Sequence, residues 1–263
     1  METALVTGAT SGIGQAAATQ MAHLGWHVIV AGRFPQKTAG VVDDIVTAGG
    51  SAEAIHLDLA SLESCRNAAS AVDRVDVLIN NAGVGVARGT TTDGFEIHFG
   101  VNHLGHFLLT TALLAAMSPG ARVVTVSSAA HERARGIDFA SVRGRTRSLL
   151  GLQEYATSKL ANILFTRELA RRHPQLRAHA VHPGFTDTAI IPRFARPFLR
   201  RSLIPAEAGA DTVVWCATSS DVENDSGGYY ARRRSLQPSI PARDDALAAA
   251  LWDRSEGYCG SLG

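Results

Sequence analysis

The chain has 263 residues, 46% of them hydrophobic and 19% charged, with a formal net charge of +1. That much apolar surface with so little net charge collapses into a core, which excludes intrinsic disorder. A pI near 7.9 argues against nucleic-acid binding through bulk charge.

Short β-rich runs alternate with longer helical patterns. Apolar runs at 3–7, 27–31, 52–57, 75–80, 121–127 and 177–182 predict strands, most of them near-continuous as buried parallel strands are. Helical patterns fall between and after them, at 12–24, 36–48, 62–71, 92–117, 153–173 and 206–218. A short strand at 228–230 and a helix at 244–254 close the chain. The alternation predicts an α/β fold: one Rossmann-type, doubly wound parallel sheet of about seven strands with helices on both faces. No repeat, linker or composition break divides it, so 1–263 reads as a single domain.

Two irregular stretches are rich in arginine. Residues 131–147 carry Arg133, Arg135, Arg143, Arg145 and Arg147, and 185–205 mix Phe185, Phe194 and Phe198 with Arg193, Arg196, Arg200 and Arg201. They read either as solvated surface or as a lid over the active site. Cys65, Cys216 and Cys259 are odd in number and lack metal-ligand spacing, so neither a disulfide framework nor a metal site is expected. The chain opens directly at its first strand, with no leader or membrane anchor expected, and a cytoplasmic location follows as the default.

The first strand runs into Thr7-Gly8-Ala9-Thr10-Ser11-Gly12-Ile13-Gly14 and then a helix. Gly8 and Gly12 allow a tight path and close approach of a pyrophosphate, Gly14 lets the helix pack on the strand, and the helix start offers free N–H groups. The second strand ends in Arg33 where an NAD enzyme usually places an acid for the ribose 2′-hydroxyl. Arg33, with Lys37 four residues on, suits a 2′-phosphate, so NADP(H) is expected over NAD(H). Asp58-Leu59 could meet the adenine, and Asn80-Asn81-Ala82-Gly83 the adenosine ribose, although either is also an ordinary loop.

Tyr155 and Lys159 share a helix face at i, i+4. A fixed ammonium lowers the phenol pKa from its usual value near 10, and a depression of about three units corresponds to roughly 4 kcal/mol. Tyr155 could then exchange a proton with a carbonyl or alcohol oxygen. Ser127-Ser128 end a strand where such edges converge on a crevice, and Asn102 stands inside a predicted helix despite low helix propensity.

These motifs resemble the short-chain dehydrogenase/reductase family over essentially the whole chain, and most closely its retinol dehydrogenase branch, which includes the WW-domain oxidoreductases. The resemblance implies Tyr155 as catalytic acid/base, Lys159 as nicotinamide-ribose ligand and proton relay, Ser128 as the group orienting the substrate carbonyl, and Asn102 as holder of the relay water. It implies dinucleotide contacts at Gly8, Thr10, Ser11, Gly12, Ile13, Gly14, Asp58, Leu59, Asn81, Ala82 and Gly83, and at Pro183, Gly184, Thr186 and Thr188 near the nicotinamide. Relatives often pair through the faces of the long helices at 92–117 and 153–173, so a homodimer or higher homo-oligomer is open. The expected function is NADP-dependent interconversion of a carbonyl and an alcohol, as a reductase of an apolar or aromatic small molecule. Alcohol oxidation is the alternative, as is a catalytically silent dinucleotide sensor, which would be expected to have lost Tyr155, Lys159 or Ser128.

Overall fold

The computed structural model describes residues 1–184 and 205–260. Eight strands form one sheet in the order β3-β2-β1-β4-β5-β6-β7-β8. They are β1 (Thr3–Thr7), β2 (His27–Gly32), β3 (Ser51–His56), β4 (Val75–Asn80), β5 (Met117–Val126), β6 (Arg177–Val181), β7 (Gly228–Ala231) and β8 (Arg234–Leu236). Neighbours from β3 to β7 pair in parallel. Around them lie α1 (Gly12–His23), α2 (Pro35–Thr47), α3 (Leu62–Ser70), α4 (Gly105–Ala112), α5 (Leu152–Arg172), α6 (Ala206–Thr218) and α7 (Asp245–Gly260).

The central strands are buried on both faces, which is why their sequences read as unbroken apolar runs. Side chains alternate between two cores at the period of a strand. Leu5, Leu78 and Val123 point into the one that includes Phe107, Leu160, Leu164 and Trp252, whereas Val6, Ile79 and Val124 point into the one with Ile13, Met21 and Val213. Strand order reverses between β1 and β4, so their carboxyl ends diverge into a crevice where open α/β sheets bind ligands.

Three expectations need correction. The sheet has eight strands, not about seven, and β8 runs antiparallel to β7. The two-residue turn joining them is Arg232-Arg233, with φ of 52° and 55°. Such turns usually announce themselves by Asn-Gly or similar pairs, and two arginines do not.

Residues 92–117 are not one helix. Phe95 bridges to Arg143 and Thr90 to Glu96, a π-helical turn spans Phe99–Leu104, α4 follows, and Met117 already belongs to β5. Gly94 sits at φ 79°, which ends any helix from the N-terminal side, and Glu96 then accepts the N–H groups of His98 and Phe99 where the π turn begins.

The closing helix runs to Gly260 and lies on α5. Trp252 stacks on Phe165 with ring centroids 5.9 Å apart and meets Phe107 edge-on at 5.0 Å. Arg167–Asp245 and Arg172–Asp253 pair at 2.7 Å along the same seam. The chain's own last helix therefore occupies part of the α4 and α5 surface through which relatives were expected to pair. Among the described residues no helix is long and apolar enough to cross a membrane.

Candidate active site

The glycine turn packs as its spacing suggests. Gly8 and Gly12 lie at φ of 64° and 56°, and a Cβ on Gly8 would stand 2.8 Å from the Ala82 Cα. A Cβ on Gly14 would collide with the Gly8 carbonyl and the Asn81 amide. Ser11 makes no side-chain cap at the start of α1, so the first-turn N–H groups keep no acceptor from it. Thr7, which opens the glycine motif but was given no role in it, ties the two loops at the switch point. Its Oγ1 accepts from the N–H groups of Asn81 (2.9 Å) and Ala82 (3.0 Å), and its carbonyl accepts from Asn81 Nδ2 at 2.9 Å. Its only sequence signal is a polar residue closing an apolar strand.

At the end of β2, Gly32 leaves room for Thr10 and Thr38, whose methyl groups would stand 3.1 and 2.9 Å from a Cβ there. Arg33 and Lys37 are exposed, and both cations lie over the Phe34 ring, at 4.8 and 5.2 Å from its centroid. No ion pair among the described residues involves either. Asp58 accepts from the Ala60 N–H at 3.0 Å, and the Leu59 carbonyl lies 2.6 Å from where a Gly105 Cβ would be. Pro183 and Gly184 follow β6 at the same sheet edge, with Gly184 at φ 88°. Thr186 and Thr188, and all of the 185–205 segment but Pro205, lie outside the described residues.

Ser128, Tyr155 and Lys159 meet where β5 and α5 converge. Gly151 caps α5 in a left-handed conformation, φ 70°, one turn before Tyr155. The two serines that follow β5 part company. Buried Ser127 donates to the Lys159 carbonyl at 2.7 Å, whereas half-buried Ser128 accepts from the Ala130 N–H at 3.2 Å and stands on the Tyr155 side, where it lowers the phenol pKa. Lys159 is buried, donates to the Val126 carbonyl at 2.9 Å, and holds its Nζ 5.7 Å from the Tyr155 ring centroid.

The expected depression of the phenol pKa is not what the structure shows. Burial raises Tyr155 above the ordinary phenol value, and the bond with Ser128 only partly offsets this. Burial also pushes Lys159 down to about 8. With its ammonium directed at a backbone carbonyl, the lysine does not outweigh desolvation of the phenol.

Asn102 lies in the π turn, a feature common at functional sites. Its Nδ2 donates to the Val84 carbonyl (3.0 Å) and Ser158 Oγ (2.9 Å), and its Oδ1 accepts from the Val84 N–H at 2.8 Å. A Cβ on Gly83 would stand 3.1 Å from Asn102 Oδ1 and 3.7 Å from Lys159 Nζ. Both polar groups therefore border the space that this glycine leaves. His106, also unforeseen, joins Thr7 Oγ1 (2.9 Å) to the Asn102 carbonyl (3.1 Å), and burial pushes it down to about 4. It is thus a neutral link between the glycine-turn end of β1 and the π turn.

A crevice at a strand-order reversal, a glycine turn opening a helix and a Tyr–Lys–Ser cluster on one edge suit a nicotinamide dinucleotide. The close-packed glycines and the uncapped helix start fit its phosphates. A family model described as short chain dehydrogenase matches residues 2–196. The chain belongs to that family, and is an oxidoreductase acting on CH–OH groups with a nicotinamide dinucleotide as cofactor.

Full-length relatives agree. A Streptomyces sp. (strain C5) protein named "Putative daunorubicin C-13 ketoreductase DnrU" is 40% identical, over 98% of this chain and 92% of its own. Human retinol dehydrogenase 13 is 37% identical, over 98% of this chain and 85% of its own, in line with the branch resemblance. A solved blue fluorescent protein from a metagenomic library, in complex with NADPH, is 26% identical with a TM-score of 0.72, covering 88% of this chain and 96% of that one.

Proposed function

We propose that the protein is an NADP(H)-dependent carbonyl reductase of apolar or aromatic small molecules. The observation that carries the reaction is the placing of the Tyr155 phenol one helical turn from buried Lys159, whose Nζ lies 5.7 Å from its ring centroid, beside Ser128 at the end of the strand. A protonated phenol is the acid that carbonyl reduction requires, whereas alcohol oxidation would start from the phenolate that burial disfavours. The ketoreductase relative supports the same direction.

The bound dinucleotide supplies the hydride. Tyr155 gives its proton to the carbonyl oxygen, and Ser128 hydrogen-bonds that oxygen and orients it. Lys159 holds the nicotinamide ribose and, with Asn102, a water in the space before Gly83, from which the phenol regains its proton. The Gly8–Gly14 turn, with Thr10, Ser11 and Ile13, takes the pyrophosphate at the start of α1. Asp58 and Leu59 face the adenine, and Asn81, Ala82 and Gly83 the adenosine ribose. Pro183, Gly184, Thr186 and Thr188 hold the nicotinamide end. The whole chain acts as one domain in the cytoplasm.

NADP(H) rather than NAD(H) is supported by Arg33 and Lys37, two exposed cations with no ion-pair partner among the described residues, poised over Phe34 at the end of β2. A guanidinium fork suits a 2′-phosphate, and no acid stands there to repel one. The test is a screen of NADPH and NADH against aldehydes, ketones and quinones, with Arg33→Ala alongside. Wild type should prefer NADPH. The variant should raise its KM for NADPH by about tenfold, the loss of one charge-assisted contact of roughly 1.4 kcal/mol, and leave NADH turnover unchanged. A preference for NADH, or an equal loss with both cofactors, would remove Arg33 from this role.

A further inference from the structure

One buried charged pair is not used by the reaction as described. Glu96 is buried, and every group hydrogen-bonded to its carboxylate is a donor. Oε2 accepts from the N–H groups of His98 (2.9 Å) and Phe99 (3.0 Å), and Oε1 accepts from Thr146 Oγ1 at 2.6 Å and meets His98 Nδ1 at 2.8 Å. Burial alone would raise this carboxyl, but the bonds from His98, Thr146 and Phe99 more than offset it and hold it below the usual carboxylate value. Glu96 is a carboxylate.

The His98 ring, with no exposed surface, faces that carboxylate through Nδ1 and the Gly85 carbonyl through Nε2. Both partners can only accept, so both ring nitrogens must donate, and the ring that does so is the imidazolium. A neutral ring would leave one buried acceptor facing a lone pair.

Three segments of the site converge on this ring. Gly85 belongs to the loop that follows β4 and carries Asn81, Ala82 and Gly83. Thr146, bonded to the same carboxylate, belongs to the arginine-rich segment leading into α5. Gly151, the cap of α5, has His98 and the Ala87 carbonyl so close that a Cβ there would collide with both. The His98 ring also meets the Tyr155 ring edge-on, with centroids 6.2 Å apart and planes at 74°.

We propose that His98, locked as a double donor between Glu96 and Gly85, is a positioning residue for Tyr155, fixing the phenol ring and the cap of its helix against the loop that follows β4. His98 touches no reacting atom and acts through Tyr155. Asn81 and Ala82 of that loop are tied independently to Thr7, so disturbing the pair misplaces the acid more than it weakens dinucleotide binding. The proposal deepens the catalytic reading of Tyr155 given above and rests on it.

The test uses full-length protein carrying [13Cζ]tyrosine, in which the chain has four tyrosines and Tyr155→Phe assigns the signal of interest. In His98→Gln and in Glu96→Gln, the Tyr155 resonance should move or broaden while those of Tyr229 and Tyr230 on β7 stay fixed. NADPH affinity, read by its fluorescence, should hold within about twofold. With menadione as probe, kcat should fall about 100-fold at unchanged KM, the size of loss that a misplaced acid produces.

A Tyr155 signal that stays in place in a folded variant overturns the proposal, as does a loss confined to NADPH affinity or KM. If neither variant folds, the wild-type 15N spectrum decides. Two ring N–H groups on His98 support the double donor, and one contradicts it. The tyrosine signal needs no turnover, so the two failures are told apart: a wild type inert toward every carbonyl defeats the reductase reading, and a Tyr155 signal that stays in place defeats this one.

Discussion

Lys159 is buried and Tyr155 half-buried, and desolvation moves their pKa values apart, the phenol up and the ammonium down to about 8. For reduction the phenol must carry its proton, which the upward shift secures across the neutral range. The lysine is then the first of the two to change state as pH rises. The expected consequence is a reduction rate that is flat below about pH 8 and falls above it as Lys159 loses its charge. A kcat/KM profile with NADPH from about pH 6 to about pH 10 checks this, and a plateau unbroken to the alkaline end would contradict it.

The pairing of Tyr155 with Lys159 on one helix face was legible in their i, i+4 spacing, and the structure brings both beside Ser128. The direction of the phenol shift was not legible. It depends on how deeply the ring is buried and on the Val126 carbonyl that takes the ammonium, neither of which is a local property of the sequence. His98 was equally hidden, because its role comes from Gly85, Thr146 and Gly151, which lie up to about fifty residues away along the chain.

At the scale of elements, the glycine turn is the clearest success of pattern reading. Its third glycine is required by contact rather than by conformation, since any Cβ there meets the Gly8 carbonyl and the Asn81 amide. Gly14→Ala should therefore cost about 1–3 kcal/mol, the usual range for overpacking a tight contact. Gly25→Ala, at φ 86° with nothing within 4 Å, should cost only its backbone strain. Urea midpoints of the two variants compare them, and a Gly14→Ala protein as stable as wild type would mean that α1 can shift off the strand.

The stretch 92–117 shows why the method fails elsewhere. Its apolar spacing is helical throughout, but three different helical geometries and the first residue of a strand share it. The switch between them is made by Gly94, by the Glu96 carboxylate and by the His106 ring on the Asn102 carbonyl. Periodicity does not encode such side-chain to backbone bonds.

For the molecule as a whole, strand–helix alternation was enough to give the parallel sheet, its switch point and the edge on which Ser128, Tyr155 and Lys159 gather. The antiparallel β8 escaped because its turn lacks a turn signature. The seat of α7 escaped because the Trp252–Phe165–Phe107 cluster joins positions far apart in the sequence. What the assembled fold does is bring a glycine turn from the first strand within one crevice of a phenol on the fifth helix, and the central claim is that this phenol delivers the proton.

The most direct measurement is single-turnover oxidation of NADPH by the protein in the presence of a reducible ketone or quinone, wild type against Tyr155→Phe. Loss of the hydroxyl should lower the rate by about 10² to 10⁴, the range of general-acid catalysis, while NADPH binding stays within a few-fold of wild type. Turnover by Tyr155→Phe at the wild-type rate would contradict the account.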